Sequence, residues 1–234
     1  MNSLKITALG LLLFTATYTV KAQSEIKEYS IATGQVFDII FLNNRSAPEV
    51  KELSQDYFKR AFPIAEANGY HSLGGFGISE NTLGNYWPST MVFGYWDTLD
   101  GREKFLKAVE IQMPDFHEMR RKIWSTFGLT YYESANDLTF NIDKTKFNTV
   151  TAYWGKDEKG FEKFKQSWLK QAKKAGGSTK VEFANGQSPF GYHYDPDFLV
   201  ITEWENKDAF EQFHVQNAAM DHSSVEHVNQ FSLK

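Results

Sequence analysis

Apolar residues along the chain fall into short continuous runs and stretches with helical spacing. Residues 36–42 (VFDIIFL) form an apolar run bounded by Gly34-Gln35 and Asn43-Asn44, which predicts a buried strand. The next apolar positions recur at steps of 3, 4, 4 and 3, which is one face of a helix: Val50, Leu53, Tyr57, Ala61 and Ile64. Pro63 is expected to kink or end that helix.

The same reasoning predicts an order of elements that occurs twice. The first set continues with strands at 72–79, 90–96 and 129–133, a helix beginning near residue 101 and an amphipathic helical piece over 116–127. The second set has strands at 149–154, 179–185, 198–204 and 226–233 and helices at 161–175 and 206–220. Each set runs strand–helix–strand–strand–helix–strand. Residues 23–31 are a polar lead-in, and the polar stretch 134–146 is the expected boundary.

Part of the sequence is itself repeated. Residues 85–105 and 193–213 match without gaps at an offset of 108, and six positions are identical: Tyr86/Tyr194, Pro88/Pro196, Val92/Val200, Trp96/Trp204, Asp100/Asp208 and Phe105/Phe213. The first helical series recurs at an offset of 111, as Phe161, Phe164, Trp168, Ala172 and Ala175. These matches predict two copies of one unit, over residues 27–133 and 147–234.

Residues 1–22 read as a signal peptide. Lys5 precedes a mostly apolar stretch too short to span a bilayer comfortably, and Val20-Lys21-Ala22 fits a small-residue cleavage site before Gln23. We therefore expect an exported protein, periplasmic or secreted, with no membrane span. Removal of Lys5 and Lys21 makes the mature chain more acidic than the net charge of −4 for the whole sequence, and no basic stripe points to nucleic acid. The absence of cysteine excludes thiol catalysis, cysteine-ligated iron–sulfur clusters and thiolate zinc sites.

The repeated element order is the ferredoxin-like arrangement. Residues 202–213 (TEWENKDAFEQF) and 92–105 (VFGYWDTLDGREKF) resemble the end of the third strand and the following helix in the dimeric α+β barrel superfamily. That superfamily includes antibiotic-biosynthesis monooxygenases, NIPSNAP-type proteins and small haem-degrading monooxygenases. The resemblance implies an α+β fold in which two tandem ferredoxin-like βαββαβ units form a barrel within one chain. A homodimer is a further expectation.

The resemblance also suggests catalytic candidates. Haem-degrading members use an Asn, a Trp and a His. Here the Trp position falls at Phe213, His222 lies one position short of the family's His, and Asn43 or Asn148 would be the Asn. Cofactor-free members often carry a His after the conserved Trp. His214 lies ten residues after Trp204, whereas the first copy has Leu106 at that place. We therefore place catalysis, if there is any, at His214 and His222 in the second copy, because histidine can transfer protons near neutral pH.

The expected ligand is a small apolar or aromatic molecule, because aromatic residues make up 16% of the sequence. Its expected contacts are Trp204, Tyr194, Phe210, Phe213 and Trp96. No metal site is predicted, since the acidic and histidine residues near the C-terminus match no metal motif, and no cofactor is assigned.

Three functions stay open. The first is an exported barrel protein that binds or oxidises such a ligand, with monooxygenase-like activity if it is an enzyme. The second is a non-enzymatic structural or interaction module. The third is a haem-binding or haem-degrading protein.

Overall fold

A computed structural model describes residues 25–234, so the signal-peptide prediction lies outside the described residues. The strands are β1 (Ile26–Ile31), β2 (Val36–Asn44), β3 (Tyr70–Leu83), β4 (Thr90–Trp96), β5 (Trp124–Glu133), β6 (Leu138–Asp143), β7 (Phe147–Gly155), β8 (Ser178–Ala184), β9 (Phe198–Trp204) and β10 (Val225–Leu233). The helices are α1 (Val50–Glu66), α2 (Leu99–Gln112), α3 (Phe116–Ile123), α4 (Glu158–Lys174) and α5 (Lys207–Ala218). None of these helices is long and apolar enough to cross a membrane.

Side-chain caps fix the start of three helices. The side chains of Thr98, Asp157 and Asn206 accept hydrogen bonds from backbone amides three residues ahead, at 3.0, 2.7 and 3.0 Å. Each bond satisfies an amide that has no partner within its helix. Pro63 lies inside α1, which continues to Glu66 and ends there, so the predicted break comes three residues later than the proline.

The strands form an α+β barrel of two ferredoxin-like units. The eight-stranded antiparallel sheet has the order β5-β2-β4-β3-β10-β7-β9-β8. Unit one (β2 to β5, residues 36–133) and unit two (β7 to β10, residues 147–233) therefore contribute four strands each in the same order. At the two ends of the sheet, Tyr131 of β5 and Gln187 exchange backbone hydrogen bonds of 2.8 and 3.1 Å. This contact brings the outer strands together and confirms the predicted fold class.

The strand register makes the two units directly comparable. In unit one Trp96 of β4 lies opposite Val36 of β2, and in unit two Trp204 of β9 lies opposite Phe147 of β7. Both tryptophans end their strands and are buried. Residues of β2 and β7 therefore correspond at an offset of 111, and residues of β4 and β9 correspond at 108.

Apolar side chains form three separate cores. One fills the barrel interior, and the other two lie between the outside of the sheet and the helices of each unit. Strands β1 and β6 pair with each other and pack onto the interior core, where Tyr29 stacks on Phe140 with ring centroids 5.0 Å apart. The barrel interior is therefore occupied by the protein's own side chains.

The element predictions missed two strands and extended one helix too far. The stretches 23–31 and 134–146 contain β1 and β6, although they were expected to be a lead-in and a boundary. Their pairing joins segments more than 100 residues apart, which local periodicity cannot show. The predicted helical piece over 116–127 ends at Ile123, because Trp124 and the residues after it pair with β2 as the start of β5.

Candidate functional site

A cavity of about 170 Å³ lies in unit one between the sheet and helices α1, α2 and α3. Tyr57, Ala61 and Ala65 line its helical side, and Val92 and Trp96 line the floor formed by the sheet. Most of the remaining lining is apolar or aromatic, and the charged residues in it are Asp38, Arg102 and Arg120. An apolar cavity with a few placed polar groups is the usual form of a small-molecule site.

Three helix positions that face the sheet carry smaller side chains in unit one than in unit two. Val50, Leu53 and Tyr57 of α1 correspond to Phe161, Phe164 and Trp168 of α4. Trp168 is fully buried, and its ring contacts Phe213 at a centroid distance of 5.2 Å. Large rings thus fill the layer of unit two, whereas the corresponding layer of unit one retains open volume.

A buried ion pair forms one part of the cavity wall. Asp38 of β2 and Arg102 of α2 are 2% and 1% exposed. The Asp38 carboxylate accepts hydrogen bonds from Arg102 Nε at 3.1 Å and from Trp96 Nε1 at 2.9 Å. The Arg102 guanidinium lies 3.7 Å from the Tyr131 ring centroid, so its flat face is also covered. The two opposite charges compensate each other, as buried charges must.

Unit two lacks this ion pair. Thr149 stands where unit one has Asp38, and Phe210 stands where it has Arg102. Trp204 Nε1 donates to the Thr149 hydroxyl at 2.9 Å, so the indole is satisfied without any charge. The charged wall is therefore specific to unit one.

Arg120 supplies a second cation to the same cavity. Its Nε donates to the Tyr57 hydroxyl at 2.7 Å and its Nη1 donates to the Tyr192 hydroxyl at 2.8 Å. The guanidinium lies 4.0 and 4.4 Å from the ring centroids of Phe116 and Phe127. Burial opposes its charge, but the two tyrosine hydroxyls outweigh that effect and raise the Arg120 pKa. The residue stays cationic at every physiological pH.

Unit two covers the open side of this cavity. In the loop between β8 and β9, Pro189 and Phe190 join the lining, and the Tyr192 ring packs on Phe127 at 4.7 Å. Phe190 has a φ of 54° and contacts His117 at a ring distance of 4.6 Å. A bulky residue in left-handed backbone conformation is strained, and such strain is concentrated at functional sites.

An outer chamber adjoins the cavity and shares Arg120, Trp124, Phe127 and Phe190 with it. We define the outer chamber by its remaining lining residues, which are Arg45, His117, Arg121, Ser125, Gly191 and Tyr192. Its described lining includes three arginines and a histidine but no aspartate or glutamate. Cationic side chains therefore surround the chamber that adjoins the cavity.

Tyr70 of β3 forms part of the cavity wall, and its side chain packs directly against Gly94 of the neighbouring strand β4. A Cβ atom at Gly94 would lie 2.4 Å from the Tyr70 hydroxyl, so glycine leaves the space that the phenol occupies. The Tyr70 ring also contacts Trp96 at 4.9 Å. Burial raises the Tyr70 pKa, and the nearby Asp38 carboxylate adds to that shift, so the hydroxyl stays protonated.

The structure does not bring the predicted ligand residues together. Trp96 lines the cavity of unit one. Trp204, Phe210 and Phe213 pack against one another in the sheet–helix core of unit two, with Trp204 and Phe213 stacked at 5.0 Å. Tyr194 lies in the barrel interior against Phe41. It is therefore in a different layer from the other residues proposed for that site.

The predicted catalytic histidines are both in unit two. The His214 ring packs on Phe210 at 5.6 Å, and its buried Nδ1 has no hydrogen-bond partner among the described residues. The His222 ring packs on Phe164 at 5.2 Å, and its Nδ1 lies 2.8 Å from the Met220 carbonyl oxygen. Neither histidine lines the cavity of unit one. Their catalytic role stays a prediction.

Sequence comparison of the two units contained a signal for the cavity. At the offset of 108, Arg102 corresponds to Phe210, so one unit has a charge where the other has an apolar ring. At the offset of 111, Asp38 corresponds to Thr149 and Tyr57 to Trp168. The His214/Leu106 difference instead favoured a site in unit two. Arg120 has no such signal, because it lies on α3, which has no counterpart helix in unit two.

No family model matches this sequence, and no curated protein matches it significantly. Among solved structures, an anthrone oxidase-like protein is similar over 88% of this chain and 94% of its own, with 14% identity and a TM-score of 0.49. The chlorite dismutase from Candidatus Nitrospira defluvii is similar over 87% of this chain and 92% of its own, with 10% identity and a TM-score of 0.46. The α+β barrel assignment rests on the strand order and register of this chain itself.

Proposed function

We propose that the protein binds a small, mainly apolar or aromatic molecule in the cavity of unit one. The observation that carries this proposal is the open volume of about 170 Å³ beside Tyr57, where unit two has the larger and fully buried Trp168. A dry cavity of about 150 Å³ is enough to bind benzene. One aromatic ring with a small substituent therefore matches the available space, and the half-exposed Phe58 and Phe62 extend the apolar surface at the mouth.

Binding is favoured over oxidation as the function of this cavity. Its described lining contains no histidine, and its one carboxylate, Asp38, already accepts hydrogen bonds from Trp96 and Arg102. A proton acceptor must reach the proton it removes, and both oxygens of Asp38 face donors. A monooxygenase-like activity remains a separate proposal tied to His214 and His222.

The alternative of a non-enzymatic interaction module is supported by unit two. There the sheet–helix layer is occupied by Phe161, Phe164 and Trp168, which is the arrangement expected of a purely structural unit. We propose a division of roles in which unit two is a scaffold and unit one binds the ligand. We also propose that both units descend from one ancestral unit. We further propose that the protein is exported to the periplasm or the medium and that it forms a homodimer.

Thermal unfolding with benzamide, a neutral one-ring compound, tests the proposal. Ala65 is buried and lines the cavity, so Ala65→Leu should fill part of the open volume, whereas Ala218→Leu makes the same change on the exposed end of α5. We expect benzamide to raise the Tm of the wild-type protein and of Ala218→Leu, but not that of Ala65→Leu. An equal shift in all three proteins, or no shift in the wild type, would contradict the proposal.

A further inference from the structure

We infer that Arg120 recognises an anionic group, so that the ligand of unit one is a small aromatic carboxylate. The inference rests on the proposed function and deepens it, because it assigns the chemical class of the ligand. It follows from the charge balance of the cavity, from the position of Arg120 and from the positive charge of the adjoining outer chamber.

The charged residues of the cavity do not balance. Its lining includes two guanidinium groups, of Arg102 and Arg120, and the single carboxylate of Asp38. Asp38 is hydrogen-bonded to Arg102, so that pair is neutral as a unit. Arg120 forms no ion pair with any carboxylate among residues 25–234, which leaves one positive charge beside an apolar volume.

The hydrogen-bond partners of Arg120 do not neutralise it. Burial raises the pKa of the Tyr57 hydroxyl, so this phenol stays protonated and supplies no negative charge. The aromatic rings of Phe116 and Phe127 hold the guanidinium by their faces. Nη1 and Nε are engaged by the two tyrosines, whereas Nη2 donates to no residue of the described chain. A guanidinium fixed in this way can donate its free Nη2 hydrogens to a carboxylate.

Arg120 lies beside the aromatic lining of the cavity. Arg120 belongs to the lining of both the cavity and the outer chamber, so it stands at the junction between them. A ligand with its ring near Trp96 and Ala61 would direct a substituent toward Arg120. The arginines of the outer chamber, Arg45 and Arg121, would attract an anion on its way in.

Benzoate and benzamide test the inference, because they have the same shape and differ in charge. We expect titration calorimetry at low salt to give at least tenfold tighter binding of benzoate to the wild-type protein. Arg120→Met should abolish this preference, and an unchanged far-UV circular dichroism spectrum would show that the variant is folded. Arg120→Lys should retain part of the preference, since it keeps the charge but not the planar fork.

Arg121→Met is the matched control, because it removes the same charge one residue away. Loss of the benzoate preference in Arg121→Met as large as that in Arg120→Met would overturn the assignment to Arg120. Equal binding of benzoate and benzamide to the wild type would overturn the inference while leaving the proposed function intact. Failure of both compounds to bind would overturn the inference and the proposed function together.

Discussion

Asp38 and Thr149 occupy the same place in the two halves of the barrel, but only Asp38 carries a charge. Asp38 lies opposite Gly94 and Tyr131 in the sheet, and Thr149 lies opposite Thr202 and Ser232. Each accepts a hydrogen bond from the tryptophan that ends the neighbouring strand, at 2.9 Å in both units. The hydrogen bond from the tryptophan is thus common to both units, whereas unit one also has the ion pair with Arg102.

The Asp38–Arg102 pair should show strong coupling in a double-mutant cycle. Asp38→Thr leaves the buried Arg102 with only the half-exposed Glu103 carboxylate, 3.8 Å from Nη1, and should lower the free energy of unfolding by about 3–5 kcal/mol. Adding Arg102→Phe copies unit two and removes the unpaired charge, so the double variant should be more stable than Asp38→Thr alone. Urea unfolding measures all three free energies. Additive losses would show that the two side chains do not depend on each other.

Gly94 should be required for the position of Tyr70. A methyl group at residue 94 would lie 2.4 Å from the Tyr70 hydroxyl, so Gly94→Ala must displace the ring and should cost about 1–3 kcal/mol. Tyr70→Leu in the same chain removes the obstructing ring atoms and should recover part of the loss. Thermal unfolding of the single and double variants checks this. A neutral Gly94→Ala would show that Tyr70 does not pack against residue 94 in this way.

The Arg60–Asp115 ion pair joins α1 to the α2–α3 connection, and it should make the free energy of unfolding depend on pH. Asp115 of the α2–α3 connection accepts hydrogen bonds from Arg60 of α1, one of them 2.9 Å long, and these bonds lower the pKa of its carboxyl. A lowered folded-state pKa gives stability that is present above the unfolded pKa of about 3.9 and is lost as pH falls through the folded value. Because the pair is solvent-accessible, the contribution should stay below about 1 kcal/mol.

Asp115→Asn tests this contribution. The free energy of unfolding of the variant should lie below that of the wild type at pH 7, and the difference should vanish as the pH is lowered below the folded pKa of Asp115. Urea unfolding at several pH values gives the comparison, and Asp100→Asn is a control because Asp100 pairs only with Lys104 on its own helix. A difference that is independent of pH would exclude the ion pair as its source.

Several features of the fold were accessible from the sequence because they depend on local pattern. The strand at 90–96 and the strand at 198–204 were predicted with their observed bounds, since β-branched and aromatic residues lie between clear turn signals. Strands β1 and β6 were not, because their only buried residues are Tyr29, Ile31, Phe140 and Ile142, and their pairing is long-range.

The candidate site was less accessible for a physical reason. A cavity is the volume that packed side chains leave open, and the sequence of one unit alone does not show that volume. It becomes visible when Tyr57 is compared with Trp168 in a known register. The approach of Tyr192 to Arg120 depends on a loop of unit two folding over unit one, which no local pattern encodes.

Xenon binding in crystals tests the central claim most directly, because xenon occupies apolar cavities without requiring any chemical group. The claim is that the sheet–helix layer of unit one is open where that of unit two is filled by its own rings. We expect xenon in unit one between Ala61 and Trp96, and none between Trp168 and Phe213. A xenon site in the layer of unit two, or no site in unit one, would contradict it.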